Sequence, residues 1–145
     1  MKYLFKSAEE VILASGSPRR RAYLEDLGIN FRVIAADIIE SVLPTESPIT
    51  YVERMAREKA ESVGGKYPGR WVVAADTAVC FDDMILGKPI DKNDAVEMLL
   101  RLSGQEHMVH TGICLLNKAL TVCDIRVVSS RVIFWDYKRV LQRIV

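Results

Sequence analysis

The segment Val11-Ile12-Leu13-Ala14-Ser15-Gly16-Ser17-Pro18-Arg19-Arg20-Arg21 decides the fold. Four apolar residues give way to small turn-formers, and a proline then stands where a first helical residue has no use for an N–H. The pattern reads strand, loop, helix, with Ala22, Leu24 and Leu27 facing inward and Gly28 as the stop. Three arginines behind the loop oppose the helix macrodipole by about 0.3–1 kcal/mol each. An anion removes that conflict, because the free N–H groups of the first turn, the hydroxyls of Ser15 and Ser17 and the guanidinium groups of Arg19 and Arg20 together make a phosphate site. The arginines also have a plainer reading as solvated first-turn residues. The loop is not a P-loop, since the G-x-x-x-x-G-K spacing is missing.

Outward from this segment the chain alternates between strand and helix. Phe31 to Ala36 reads as a second strand ahead of Asp37 and Glu40 and a loop holding Pro44 and Pro48. Ser47-Pro48 predicts a capped helix start, and Val52, Met55, Ala56, Ala60 and Val63 recur at helical spacing up to Gly64-Gly65. Trp71 to Ala75 is a continuous apolar run, expected as a buried strand that ends at Asp76-Thr77. Ala78 to Phe81 and Met84 to Leu86 flank Asp82-Asp83 as a hairpin that delivers Gly87-Lys88-Pro89. Asp91 to Leu102 predicts a helix with Ala95, Val96, Met98, Leu99 and Leu102 as its stripe. Met108 to Leu116 and Val122 to Trp135 are β-rich, and Asp136 to Val145 reads as a closing helix. These elements predict a single α/β domain over residues 1–145, with a mixed twisted sheet flanked by helices.

The charged positions suggest chemistry. Glu40 and Asp76 follow apolar strands, and carboxylates beside a phosphate chain need cations between them; Mg2+ or Mn2+ held by Glu40 and Asp76 would serve. Lys59 on its helix and Lys88 between Gly87 and Pro89 add positive charge. Three of these have a plainer reading too: Glu40 as a loop carboxylate, Asp76 as a structural one and Lys59 as a solvated helix lysine. His107 and His110 lie three apart on a strand and so point to opposite faces, which argues against a shared metal ion. Trp71 and Trp135 read as core or edge packing residues.

Composition narrows the function classes. The 145 residues are 50% hydrophobic with a formal net charge of +1, which excludes a surface built for many nucleic-acid phosphates. Cys80, Cys114 and Cys123 have no C-x-x-C spacing and read as free, small core residues in a reducing compartment. No apolar run is long enough for a membrane span, and Met1 to Glu10 is too polar and acidic for a signal peptide. The expectation is a soluble cytoplasmic protein.

Leu13 to Arg21, Glu58-Lys59-Ala60, Ala75-Asp76-Thr77, Leu86-Gly87-Lys88-Pro89, Asp94 to Leu99 and Leu102-Ser103-Gly104, taken in this order, closely resemble the Maf (septum formation) family. The resemblance implies an inosine-triphosphatase-like fold, a divalent metal, a homodimer in many members, and pyrophosphatase activity on nucleoside triphosphates. It implies Asp76 as proton acceptor, Arg19 and Thr77 as specificity positions typical of the branch acting on dTTP and UTP, and Ser15, Arg20, Glu40, Lys59 and Lys88 as cleft residues. Two features depart from the family pattern. The acidic D-x-D-E stretch is Asp37-Ile38-Ile39-Glu40 here, and a later D-K-A-G-x-Y-x-I-Q-G segment has no counterpart. These departures imply a C-terminally truncated domain, and they leave open a second reading as a catalytically impaired nucleotide-binding or regulatory protein, or a truncated gene product.

Overall fold

A computed structural model describes residues 9–141 and 143. In chain order the elements are β1 (Val11–Leu13), α1 (Pro18–Leu27), β2 (Phe31–Val33), α2 (Pro48–Gly64), β3 (Val72–Phe81), β4 (Met84–Leu86), α3 (Lys92–Leu102), β5 (Glu106–Asn117), β6 (Val122–Ile133) and α4 (Lys138–Leu141). Six strands form one mixed sheet in the order β2-β1-β3-β5-β6, with β4 added to β3. β1 runs parallel to β2 and β3, whereas β5 runs antiparallel to β3 and β6.

The decisive segment folds as its residues dictate. α1 begins at Pro18 and stops at Gly28, whose φ of 75° lets its N–H reach Glu25 O while the N–H of Ile29 reaches Leu24 O. Ala22, however, is exposed, and α1 has no buried residue, because Leu24 and Leu27 alone are too narrow a stripe to bury a helix face. The second strand covers only Phe31–Val33, the length over which β1 offers partners.

α2 covers one face of the sheet. Ser47 caps it by accepting the Thr50 N–H at 3.1 Å, and Val52, Met55, Ala56, Ala60 and Val63 are buried. They meet Ile12, Ala14, Val72, Ala74, Ala78, Cys114 and Leu116 in two adjoining apolar clusters. The helix comes close enough that a Cβ on Gly112 would lie 2.4 Å from the Val52 carbonyl oxygen. Gly112 pairs with Asp76 across β5 and β3, so helix backbone lies beside the position of that carboxylate.

The strand expected to end at Asp76 continues to Phe81, so Asp76 and Thr77 are mid-strand. Burial of the apolar run does not stop the ladder, because β5 pairs with β3 continuously from Val72 to Cys80. Along the opposite edge, β1 pairs only with Val72 and Val73, and β4 only with Val79 to Phe81. The edge is therefore open around Asp76 and Thr77. Asp82 and Asp83, at φ of 48° and 59°, form the tight turn that brings β4 back.

α3 is capped by Asp91, which accepts from the Asp94 N–H at 2.7 Å. Only Leu102 of its expected stripe is buried. Trp135 is 88% exposed, contrary to a packing role, and Cys123 is exposed while Cys80 and Cys114 are buried. His107 packs edge-on against Phe134, and His110 Nδ1 lies 2.7 Å from Ser129 Oγ. Of the expected closing helix, Lys138–Leu141 is helical; residues 142, 144 and 145 lie outside the described residues, as do 1–8 of the N-terminal stretch. Among the described residues no helix is long and apolar enough to cross a membrane.

Arg54 ties the loop between β2 and α2 to the helix. Its Nε donates to Glu46 Oε1 at 2.8 Å, and its Nη2 donates to Glu46 Oε2 at 2.9 Å and to the Ser41 carbonyl at 2.7 Å. The hydrogen bond from Arg54 holds the Glu46 carboxyl below its usual pKa. That stabilisation is complete above the ordinary glutamate value of 4.5 and is lost as the pH falls through the lower folded value. Glu46→Gln should therefore flatten the fall in stability between about pH 5 and about pH 3, measured by urea unfolding across that range. Gly112→Ala should destabilise the fold by about 2–3 kcal/mol, because the new methyl meets helix backbone rather than a movable side chain; thermal unfolding reads this directly.

Candidate active site

The open stretch of the β3 edge gathers most of the expected residues. Asp76 points toward α2 and is 8% exposed. Lys59 lies two turns past Val52, about 10 Å along the axis, and its side chain leans back toward the helix N-terminus as helical side chains do. Its ammonium donates to Asp76 Oδ1 at 2.7 Å and pairs with Glu40 Oε1. Burial alone would lower the Lys59 pKa, but the hydrogen bonds to Asp76 and Glu40 outweigh it and the net shift is upward. The lysine thus remains a cation, and two carboxylates converge on its position.

The arginine side of the site meets this trio at the start of α1. Arg20 Nη1 donates to Ser15 Oγ at 3.2 Å, and its Nη2 donates to Thr77 Oγ1 at 3.3 Å. Ser15 also accepts the Ser17 N–H at 3.2 Å, which curls the loop over the end of β1. Desolvation lowers the Arg20 pKa, and the charges of Asp76 and Glu40 act against that shift. Thr77 Oγ1 lies 3.0 Å from Thr111 Oγ1 on the neighbouring strand. A cavity of about 90 Å3 lined by Ala14, Ser15, Gly16, Ala36, Glu40 and Lys59 opens between the loop and the lysine.

Ser15, Arg20, Glu40, Lys59, Asp76 and Thr77 are therefore drawn into one connected set. Ser17 joins through its N–H rather than as a cap, because its side chain makes no capping bond. Arg19 and Lys88 do not join. Arg19 is exposed on the first turn, and Lys88 is exposed in the loop after β4; neither forms an ion pair among the described residues. A larger depression of about 330 Å3 lies between α1 and β2, lined by Arg21, Glu25, Ile29, Asn30, Phe31 and Val33. It makes a poorer site, because Arg21 and Glu25 neutralise each other at 2.9 Å.

Two contributors carry no signal of their own in the sequence. Arg54 looks like any helix arginine until Ser41 and Glu46 are seen around it; by fixing the Ser41 carbonyl it holds the backbone next to Glu40. Thr111 is one hydroxyl in a β-rich run, and only the pairing of Thr77 with Thr111 brings it to Arg20's partner.

The donor set suits a small hard cation. Glu40 and Asp76 each turn an oxygen toward the same positive nitrogen, so the pair already accommodates a cation. Among the described residues no group of three or more His, Cys, Asp or Glu side chains could hold a metal ion. Two carboxylates, with the remaining positions left for water and phosphate oxygens, are the usual protein share in a Mg2+ site.

Comparison with known proteins identifies the family. The family model described as Maf-like protein matches residues 10–141. A dTTP/UTP pyrophosphatase of Desulfotalea psychrophila is 42% identical over 140 residues, 97% of this chain and 72% of that protein. Another, of Nitratidesulfovibrio vulgaris, is 53% identical over 111 residues, 76% of this chain and 53% of that protein. The chain thus spans between about half and about three quarters of the length of these relatives. The solved Ham1 protein of Staphylococcus aureus shares the fold, with a TM-score of 0.52 and 17% identity over 86% of this chain and 70% of that one. With a matched span that takes in the loop, the open strand edge and every residue of the connected set, the chain belongs to the Maf-like protein family.

Proposed function

We propose that this protein hydrolyses a pyrimidine nucleoside triphosphate, dTTP or UTP, to the monophosphate and pyrophosphate. The observation that carries the proposal is the convergence of Glu40 and Asp76 on Lys59, beside an Arg20 held by Ser15 and Thr77. A buried Lys59–Asp76 pair, joined at an open strand edge by the exposed Glu40 and the half-buried Arg20, is poorly explained as packing, since burying charge costs several kcal/mol per ion. The excess positive charge that suits a polyphosphate comes from Arg19 and Lys88, which form no ion pair among the described residues. The dTTP/UTP pyrophosphatases among the relatives support the choice of substrate.

In this reading the triphosphate lies between the Ser15 to Arg20 loop and Lys59, with Arg19 and Lys88 closing on it from their exposed positions. Asp76 accepts the proton of a water whose oxygen attacks the α-phosphorus. The bond from that phosphorus to the α–β bridging oxygen breaks, and pyrophosphate departs with the electron pair. Arg20, Lys59 and Lys88 stabilise the charge that grows on the leaving group. A divalent cation such as Mg2+ or Mn2+, held by Glu40 and Asp76 when bound, supplies further charge neutralisation at the phosphates. The substrate belongs to the soluble nucleotide pool of the cytoplasm, with no role for nucleic acid or membrane.

Asp76→Asn keeps the size and most hydrogen bonding of the side chain but cannot accept the proton. It should lower pyrophosphate release from dTTP or UTP by about 10²-fold or more while dTTP binding persists. Lys88→Ala should lower turnover by about 10-fold or more with little change in thermal stability, since Lys88 is exposed. Release by Asp76→Asn close to the unmodified rate would reject the assignment. Calorimetric dTTP binding without release in the unmodified protein would point instead to a binding protein.

A further inference from the structure

The hydroxyl pair of Thr77 and Thr111 stands outside the acid–lysine chemistry, on the other side of β3. Asp76 faces α2 and Lys59, so Thr77, the next residue along the strand, faces away from α2. Thr111 is its directly paired neighbour on β5 and shares that face. Their oxygens are 3.0 Å apart, a hydrogen bond in which either can donate. Thr77 Oγ1 also accepts from Arg20 at 3.3 Å, and Arg20 reaches Ser15 at 3.2 Å with its other terminal nitrogen.

We infer that Thr111 is a positioning residue for the anion site, acting through the Thr77 hydroxyl to hold the Arg20 guanidinium in the geometry that receives phosphate. A threonine hydroxyl has one donor and two acceptor sites, and its proton rotates freely unless a partner fixes it. With Thr111 in place, the Thr77 oxygen keeps a lone pair directed at Arg20. Without it the Thr77 hydroxyl is free to turn toward water and to compete for that direction, and one of Arg20's two side-chain anchors loosens. The other anchor, Ser15, lies on the loop itself, so the strand side of the clamp depends on Thr77 and Thr111. Arg20's bidentate grip on an anion depends on its plane being held. The inference deepens the hydrolase reading and rests on it only for the catalytic measurement.

The test uses the whole chain and two probes. Inorganic tripolyphosphate, followed by calorimetry, reads the anion site without any chemistry, and pyrophosphate release from dTTP reads turnover. Thr111→Val removes the hydroxyl at nearly constant volume and should weaken tripolyphosphate binding by about three- to tenfold, the size of one net hydrogen bond. It should raise KM for dTTP by a similar factor with a smaller effect on kcat. Thr111→Ser should restore both. In a Thr77→Val background, Thr111→Val should add nothing, because the path through Thr77 is already cut. Unchanged affinity in Thr111→Val, failure of the serine to rescue, additive losses in the double variant, or no tripolyphosphate binding by the unmodified protein would each overturn the inference. Tripolyphosphate binding with this pattern but no pyrophosphate release would leave the inference standing and remove the hydrolase reading instead.

Discussion

The structure around the site depends on one buried cation between two acids. Lys59 has a side chain 11% exposed, and so does its partner Asp76. Neither charge would persist there alone, since removing one partner of a buried pair commonly costs about 3–5 kcal/mol. The compensation is local and nearly complete: Lys59 and Arg20 oppose Asp76 and Glu40 within one connected set. It requires α2 to lie close on the sheet, and the absence of a side chain at Gly112 makes that approach sterically open. It also requires Glu40 to stay on its loop, where Arg54 grips the adjoining Ser41 carbonyl. A glycine on β5 and an arginine on α2 are thus part of the electrostatics of a site that neither enters.

Topology supplies the opening. β3 is paired without a break on the β5 side, which keeps it rigid, yet its other edge changes partner from parallel β1 to antiparallel β4. The two partners leave a gap at Asp76 and Thr77 because β1 turns away at Ser15 into α1. Open α/β sheets commonly bind ligands beyond the carboxyl end of a strand where the neighbouring connections part. Here the end that matters is that of β1, not of β3. The acid needs a firm backbone beneath it as well as access, and a mid-strand position facing a neighbour's end provides both.

This distinction explains what the sequence could and could not reveal. The order of strands and helices is legible because local signals agree: Ser47 and Pro48 with the spacing from Val52 to Val63, the Gly28 stop, and the Asp82-Asp83 turn between two short strands. Asp76 is legible as a charge next to a buried run, but its place in the middle of β3 is not, because the partner that carries the strand onward is β5, whose Gly112 pairs with it from far along the chain. Exposure of Ala22 and Trp135 is equally hidden, since each depends on whether another element covers it. The connected set itself follows the motif positions closely, whereas Arg54 and Thr111 emerge only from tertiary pairing. Motif positions mark the members of the connected set, and the residues that hold those groups still are distributed by the fold.

The alternation of β3 finally accounts for why consecutive residues do different work. Asp76 and Thr77 differ by one step along the strand and so lie on opposite faces. The α2 face holds the buried Asp76–Lys59 pair, with the exposed Glu40 reaching in from its loop, and charges interact more strongly where water is excluded. The other face holds neutral hydroxyls that steady Arg20 without adding charge. Arg20 is the group that joins them, since its guanidinium bonds to Thr77 and feels the charges of Asp76 and Glu40. Under the proposed hydrolase reading, a phosphate chain seated on that guanidinium would lie along the open edge, with Asp76 and Lys59 on one side and uncharged anchors on the other. The two faces of a single strand thereby separate the ionised groups from the neutral hydroxyls.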